Sequence, residues 1–418
     1  MFQTPRGTQD ILPEEQPYWR YVESVAEEIT RLYGYERIET PVFEEAGLFV
    51  RSVGAGTDIV EKEMYTFTDL GGGEMTLRPE GTAPVCRSYI EHGMASMPQP
   101  IKLYYLAPIF RYERPQAGRF REHHQFGCEA IGDGSAAVDA EMIDMAWRFF
   151  GALGLKELTL QINSIGCSKC RPTHLAALRA YFQALPLCPD CQVRLKKNTL
   201  RLLDCKNPAC QNQVGEAPKS IDHLCHECAS HFADLKSHLG QLRLPFNVNT
   251  GLVRGLDYYA RTVFEIQPGL EGGQSTLGGG GRYDRLIEEL GGKPTPGVGF
   301  AAGIERIILN LKRQNVKVPP LSKPDVFLAW VGDEGQRLAI HLAATLRCAG
   351  IGTLSSYSPR SLKAQLRLAN TQGCTYVVII GEEELTRGVI ALRNMHSASQ
   401  EEIAPEALIP KLKQGSNS

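Results

Sequence analysis

Nowhere in these 418 residues does an apolar run approach the roughly 18 residues that a membrane span needs. The opening stretch, MFQTPRGTQDILPEEQ, holds no apolar signal core, so the sequence points to the cytosol and to no membrane partner. An excess of charge is missing too. Lys and Arg number 45 against 47 Asp and Glu, so no bulk basicity announces nucleic acid. Any RNA partner has to be met by local patches. Cysteine, by contrast, is not scarce. There are twelve, with eight crowded into residues 167–228. A reducing compartment disfavours disulfides, which leaves metal as the leading explanation for the crowding. With 43% hydrophobic and 22% charged residues, the chain has the make-up of an ordinary globular enzyme, long enough for two or three domains.

The richest stretch is LYYLAPIFRYERPQAGRFREHHQFGCEAI, residues 103–131. An apolar run over 103–110 ends in Arg111, a loop with Pro115 and Gly118 follows, and a second run over 125–131 returns. Two strand-like segments around a Pro/Gly turn predict an antiparallel hairpin. Alternation places Gln125, Gly127 and Glu129 on one face of the return strand, and Phe126, Cys128 and Ala130 on the other. The second face is core. The first carries an amide, a carboxylate and, between them, a glycine that leaves room. Arg111 ends the outgoing strand, where a guanidinium can grip an anion with two donors. Solvated charges on an edge hairpin are the bland alternative. The density of Arg, Glu, His and Gln in one loop and its flanks favours a polyanionic ligand.

Residues 14–33 carry Tyr18, Val22, Val25, Ile29 and Leu32 at helical spacing, which predicts an amphipathic helix with that stripe in the core. Residues 34–42 turn it into a short strand. Two strands are expected over 64–70 and 74–78, joined by three glycines. Pro79 ends the second. Thr82 is placed to cap a helix running to His92. Glu80 sits on the turn before it, where a carboxylate can meet a ligand amine or pair with Arg78 or Arg87. A helix over 138–151 and a strand over 157–163 read as structural. LVRGLDYY (252–259) is a turn with one cation and two phenols, ahead of a strand over 262–266. Arg254 beside Gly255 can approach a phosphate closely, or pair with Asp257. The glycine run 278–281 costs backbone entropy and makes sense where backbone lies against a ligand. Residues 297–312 predict a strand, a turn and a helix with Ile304, Ile307, Ile308 and Leu311 buried. Arg306 lies off that stripe near the helix start, where cation and helix terminus can hold an anion together.

The crowded cysteines fall into tight pairs: Cys167 with Cys170, Cys188 with Cys191, Cys205 with Cys210, and Cys225 with Cys228. Eight thiolates suffice for two tetrahedral zinc sites. The 17 residues between Cys170 and Cys188 fit a zinc ribbon made of the first two pairs. A nested scheme fits equally, with Cys188, Cys191, Cys205 and Cys210 on one metal and the outer two pairs on another. Metal-free thiols are the third possibility. Zinc here is read as structural.

Residues 312–324 are charged and proline-bearing and read as a linker. Beyond them the pattern alternates: strand 325–331, helix 334–349, a short strand near 352–357, helix 361–373, strands 375–381 and 389–394, and helix 402–413. That predicts a small, partly parallel sheet covered by helices. Nine basic and nine acidic residues leave this part without a charge signature. Lys363, Gln365 and Arg367 make a thin basic face on helix 361–373.

Several of these stretches resemble one family. FRYERPQAGRFREHHQFGCE is similar to motif 2 of class II aminoacyl-tRNA synthetases in its histidyl form, residues 34–42 resemble motif 1, and 297–312 resemble motif 3. TLRPEGTAP, LVRGLDYY and GGGGRYD look like segments of histidyl-tRNA synthetases, with Arg285 standing where that family usually has glycine. TYVVIIGEEELTRGVIALRNM resembles their C-terminal anticodon-binding domain. The likeness spans residues 1–415, and the cysteine-rich insertion is its least typical part. It implies an α+β catalytic domain with an antiparallel sheet over 1–322, a small Cys-rich domain inserted at 166–240, and an α/β anticodon-binding domain over 325–418. It also implies a homodimer formed through motif 1, and ATP-dependent, Mg²⁺-assisted ligation of L-histidine to tRNA(His) through a histidyl-adenylate. On this likeness Arg111 and Arg254 hold the α-phosphate and carboxylate, and Arg306 and Arg119 bind ATP. Glu80, Thr82 and Gln125, with Gly81 among them, hold the amine end. Glu129 and Tyr259, with Tyr258 nearby, read the imidazole. Residues 114–119 meet the tRNA acceptor end. A histidine-binding regulatory subunit and a non-catalytic RNA-binding regulator are the rival classes. Residues 325–415 and the intact LVRGLDYY count against the first, and the presence of all three of Arg111, Arg254 and Arg306 counts against the second.

Overall fold

A computed structural model describes residues 2–54, 57–114, 119–203, 205, 207–269 and 276–415. The chain divides into two units, Met1–Pro319 and Pro320–Ser418. The first is built on an eight-stranded sheet. Its order is Glu36–Arg37, Ile101–Phe110, Glu122–Ile131, Gly297–Gly303, Gly278–Arg282, Ala260–Pro268, Leu158–Ser164 and Asn247–Val248. The six central strands run antiparallel, and the two-residue strands at the edges pair parallel. The hairpin expected around residue 115 is present, with Leu103 opposite Glu129 and Tyr105 opposite Gly127.

Alternation gives the sheet two unlike faces. On one, Phe126, Cys128, Ala130, Phe264, Val298 and Phe300 meet residues of the helices Gln16–Leu32, Ala136–Ala152, His226–Gln241 and Ile304–Arg313. Phe126 touches Phe149 and Phe300, with ring centroids 4.7 and 5.5 Å apart. Burying one such ring contributes roughly 1.5–3 kcal/mol, so this face holds the sheet. The helix Gln16–Leu32 opens with proline in its first turn and stops before Gly34, whose φ is +73°. Its buried side is turned from the expected stripe. Trp19, Val22, Ala26 and Ile29 go inward, and Leu32, at the C-terminal end of the helix, is left exposed.

The opposite face is lined by tyrosines. Tyr105, Tyr258, Tyr259 and Tyr283 pack there with Val85, Leu252 and Val263. A smaller antiparallel sheet, in the order Phe43–Glu45, Glu74–Leu77 and Tyr65–Thr68, accompanies it. The inserted helices Arg171–Gln183, Pro189–Lys197 and Pro208–Val214 have a small core of their own that includes Leu178, Phe182, Cys191, Cys205 and Cys210.

The second unit carries a five-stranded sheet in the order Thr353–Ser355, Val326–Trp330, Tyr376–Ile380, Ile390–Asn394 and Gln400–Ile403. The first three strands are parallel and the rest antiparallel, as the alternating pattern implied. Two expectations fail here. The helix read over 402–413 forms only over Leu408–Gly415, because Gln400–Ile403 returns as a strand. Asn394 enforces that turn, its side-chain oxygen accepting from the amides of His396 and Ser397. Gln365 is buried rather than part of a basic face, clasping the Trp330 backbone from both sides at 2.6 and 3.0 Å.

Candidate active site

A cavity of about 360 Å³ opens on the tyrosine-lined face. Arg111, Arg119, Arg254 and Arg306 line it together with Glu80, Thr82, Gln125, Tyr258 and Tyr259, so the structure gathers most of the expected site from four separate stretches of chain. Arg111 leaves the hairpin strand with its Nε donating to the Pro79 carbonyl at 2.7 Å. Arg111 and Arg119 both approach Glu113, at 4.0 and 3.4 Å. Arg306, in the first turn of Ile304–Arg313, donates to the Thr276 carbonyl at 3.1 Å. Arg254 reaches Glu265 at 2.6 Å and lies over the Tyr259 ring.

The electrostatics follow from this crowding. Burial, then the nearby Arg119 and Arg111, hold the Arg306 guanidinium below its ordinary range. Burial and repulsion from Arg111 and Arg306 push His123 down to about 3, so it stays neutral between them. Burial would depress Arg254 as well, but Tyr259 and Glu265 outweigh it and the group is held above its usual range. Converging cations in a partly dry pocket are a receptacle for phosphate. Of the residues expected to meet tRNA, 115–118 lie outside the described residues, and Arg119 faces the cavity.

Next to the cations the wall becomes a slot of carboxylates and phenols. The cap expected from Thr82 is supplied by Glu80, whose carboxylate accepts from the amides of Thr82 and Ala83 at 2.7 and 2.8 Å. The helix itself begins at Thr82, with Gly81 before it. A longer side chain two residues before the helix start reaches those amides better, and this frees the Thr82 hydroxyl to donate to Glu129 at 2.7 Å. Tyr283 donates to the other Glu129 oxygen at 2.7 Å. Glu129 is only 1% exposed and lies beneath the cavity rather than on its wall. Gly299 makes this possible, because a Cβ there would overlap the carboxylate.

Burial pushes the Glu129 carboxyl up to about 8. Between its ordinary 4.5 and about 8, the native state therefore keeps a proton that the unfolded chain has lost, and stability falls as pH rises through that window. Glu129→Gln removes this slope. Its melting temperature should gain on the wild type at about pH 8.5 relative to about pH 5, and equal differences at both would refute the burial.

Gly127 was expected to leave room between Gln125 and Glu129. That space is filled by the Tyr105 ring, which also presses on Gly81, so a Cβ at either glycine would overlap it. Gly81 thus supports the wall without forming it. Tyr105 escaped the sequence reading although its register opposite Gly127 puts it on the site face. Its hydroxyl is buried with no hydrogen-bond partner among the described residues. The glycine run has in part a similar explanation. Gly279 lies under the Arg254 guanidinium, 2.9 Å from where a Cβ would stand, and Gly281 lies under the Tyr259 ring at 3.1 Å. A Cβ at either would come closer still to a backbone carbonyl of the neighbouring strand, Phe264 or Thr262, and Gly278 and Gly279 line the cavity, so backbone does face the ligand space there. Arg285 takes an ordinary right-handed conformation (φ −107°), so no glycine is needed there. Glu113 and Glu265, also missed, carried no signal beyond their charge.

The eight cysteines form two clusters away from this cavity. Cys167, Cys170, Cys225 and Cys228 make the outer one, and Cys188, Cys191, Cys205 and Cys210 the inner one, so the nested scheme replaces the ribbon pairing. Sulfurs stand 3.8 and 3.9 Å apart around the outer cluster, and Cys188 and Cys205 are 3.9 Å apart in the inner. Four thiolates on zinc at about 2.3 Å would be about 3.8 Å from one another, so both clusters fit the ion.

An antiparallel sheet that presents converging arginines beside a buried carboxylate slot, built from these motifs, defines a class II aminoacyl-tRNA synthetase. The profile described as "Histidyl-tRNA synthetase" matches residues 7–170 and 193–307, and one for an anticodon binding domain matches 325–415. The histidine–tRNA ligase of Dehalococcoides mccartyi is 60% identical over 99% of both chains. That of Pelotomaculum thermopropionicum is 50% identical over 98% of this chain and 97% of its own. Among solved structures, apo S. aureus histidyl-tRNA synthetase superposes with a TM-score of 0.84 at 39% identity, over 99% of this chain and 100% of that one. The chain belongs to the histidyl-tRNA synthetase family. Among the described residues no helix is long and apolar enough to cross a membrane.

Proposed function

We propose that this cavity joins L-histidine to tRNA(His) in two steps, with ATP as the energy source. The histidine carboxylate attacks the α-phosphate of ATP and pyrophosphate leaves. The terminal ribose hydroxyl of the tRNA then attacks the histidyl carbonyl and AMP leaves. Neither step needs a nucleophilic side chain. The obstacle is the approach of one anion to another, so fixed cations and orientation supply the catalysis. The observation that carries this reading is that Arg111, Arg254 and Arg306 line one cavity. Arg111 and Arg254 hold the α-phosphate and carboxylate, and Arg306, with Arg119, holds the ATP tail. Mg²⁺ binds mostly through phosphates and water with one or two carboxylates, and Glu113 and Glu265 line the cavity beside these arginines. Held there, it would spread the charge of the triphosphate.

Glu80, Thr82 and Gln125 take the amine end of histidine. Tyr258 and Tyr259 receive the imidazole at the wall and Glu129 meets it from beneath, with the Tyr105 hydroxyl, which has no partner among the described residues, as a further contact. Charging of a tRNA(His) transcript with labelled histidine tests the whole reading. Histidine-dependent charging is expected, and pyrophosphate exchange that ignores histidine would overturn it.

The same reading takes the chain as a cytosolic homodimer. Val42, Phe43 and Phe67 stay exposed beside the motif 1 segment, which suits a partner subunit. Each cysteine cluster holds one structural zinc. Protein purified without chelator should carry two zinc ions per chain. Fewer than one in fully reduced protein would count against the clusters as metal sites.

A further inference from the structure

The outer cysteine cluster is not remote from the chemistry in the way its sequence position suggests. It grows out of the end of strand Leu158–Ser164, and that end grips the loop that carries Arg254, Tyr258 and Tyr259. Asn163 donates to the Leu252 carbonyl at 3.0 Å, at the start of the loop. Ile165 and Gly166 exchange backbone hydrogen bonds with Arg261, at 2.8 and 2.9 Å, just past its end. Arg261 is held there at φ +50°, a left-handed conformation that a non-glycine residue keeps only when its surroundings impose it. Between these two grips lies Arg171, the residue after Cys170. Its guanidinium donates to the carbonyl of Tyr259, and also to Gly166 at 3.4 Å.

The backbone of Arg171 is set by the cysteine turn on one side and by the packing of its helix, through Leu178 and Phe182, on the other. Arg171 is the first residue of helix Arg171–Gln183, and its amide bonds back to the Cys167 carbonyl at 2.9 Å inside the Cys167–Cys170 turn. That turn is fixed from outside by the four sulfurs that join it to Cys225 and Cys228 at the start of helix His226–Gln241, whose Phe232, Leu235 and Leu239 are sunk in the main core. Four thiols without a metal make weak contacts, whereas zinc bonds lock the turn to that helix.

We propose that the outer centre is a clamp on the substrate loop. Zinc on Cys167, Cys170, Cys225 and Cys228 fixes Arg171, Arg171 fixes the Tyr259 carbonyl, and zinc occupancy thereby sets the affinity for histidine. This rests on the reading of Tyr258 and Tyr259 as histidine contacts and of the outer cluster as a zinc site. Arg171 is a positioning residue, since it lines a separate small cavity between the Cys turn and the loop.

The test compares the full chain with Cys225→Ser, Arg171→Ala and Arg171→Lys, measuring zinc per chain, histidine affinity by calorimetry without ATP, and ATP affinity. Cys225→Ser should lose one of two zinc ions, and histidine affinity should fall by about tenfold to a hundredfold, the cost of a misplaced contact. Arg171→Ala should keep both zinc ions and show the same loss. Arg171→Lys, which retains a donor, should restore most of it, and ATP affinity, to which Arg111, Arg119 and Arg306 contribute from outside this loop, should fall clearly less than histidine affinity throughout. If Cys225→Ser does not fold, Arg171→Ala decides, because it leaves every thiolate in place. Wild-type histidine affinity in Arg171→Ala overturns the clamp, as does an equal loss of ATP affinity. Wild-type protein that binds histidine but carries no zinc overturns the metal reading instead, and wild-type protein that carries zinc but binds no histidine overturns the reading of the site.

Discussion

Arg254→Ala should give a folded protein whose histidine-dependent pyrophosphate exchange is lower by about 10³ or more, the usual loss when a preorganised donor to a transition-state anion is removed. Three features single this arginine out. It lines the cavity with the other cations, its guanidinium lies over the Tyr259 ring, and the glycine beneath it leaves that group room. The fold should survive. Glu265 loses one partner but keeps Thr276 and Gln267 on its other oxygen, at 2.8 and 3.0 Å. One acceptor left unpaired costs about 1–3 kcal/mol, which a core of this size tolerates. Arg254→Lys should recover little, because a single ammonium cannot make two parallel bonds. Near-normal exchange in folded Arg254→Ala would remove the role assigned to it.

The second large effect concerns selectivity. Glu129→Leu keeps a similar volume but withdraws both acceptors, stranding the Thr82 and Tyr283 hydroxyls and leaving an imidazole N–H unmet. The specificity constant for histidine should fall by about 10⁴, as for sites built around a substrate N–H that lose their partner. Glu129→Gln retains an acceptor in the same place and, because the buried carboxyl is itself neutral below about pH 8, should lose only about tenfold, the worth of a neutral hydrogen bond. Titrating histidine in the exchange assay separates the two. A drop below tenfold in the leucine variant would mean that the imidazole is read elsewhere.

Much of this site could be read before any coordinates. Period-two alternation set Gln125 and Glu129 apart from Phe126 and Cys128, and the helical stripe of Ile304, Ile307, Ile308 and Leu311 left Arg306 to face the ligand side. What escaped was of another kind. Thr82 looked like a helix cap, and only packing shows Glu80 taking that place. Gly127 looked like space for ligand, whereas Tyr105 occupies it; in the glycine run, Gly278 and Gly279 do line the cavity. A glycine signals room in a sequence without saying which distant side chain fills it. The cysteine pairing was open for the same reason. Spacing counts thiols along the chain, and only the return of helix His226–Gln241 brings Cys225 and Cys228 beside Cys167 and Cys170.

The most direct measurement is a crystal structure with histidine and a non-hydrolysable ATP analogue bound together. Expected are the α-phosphate within hydrogen-bonding distance of both Arg111 and Arg254, the tail of the triphosphate on Arg306, and imidazole nitrogens meeting Glu129 and Tyr259. An α-phosphate out of reach of Arg254, or a ring that faces away from Glu129, would contradict the shared site on which everything else depends.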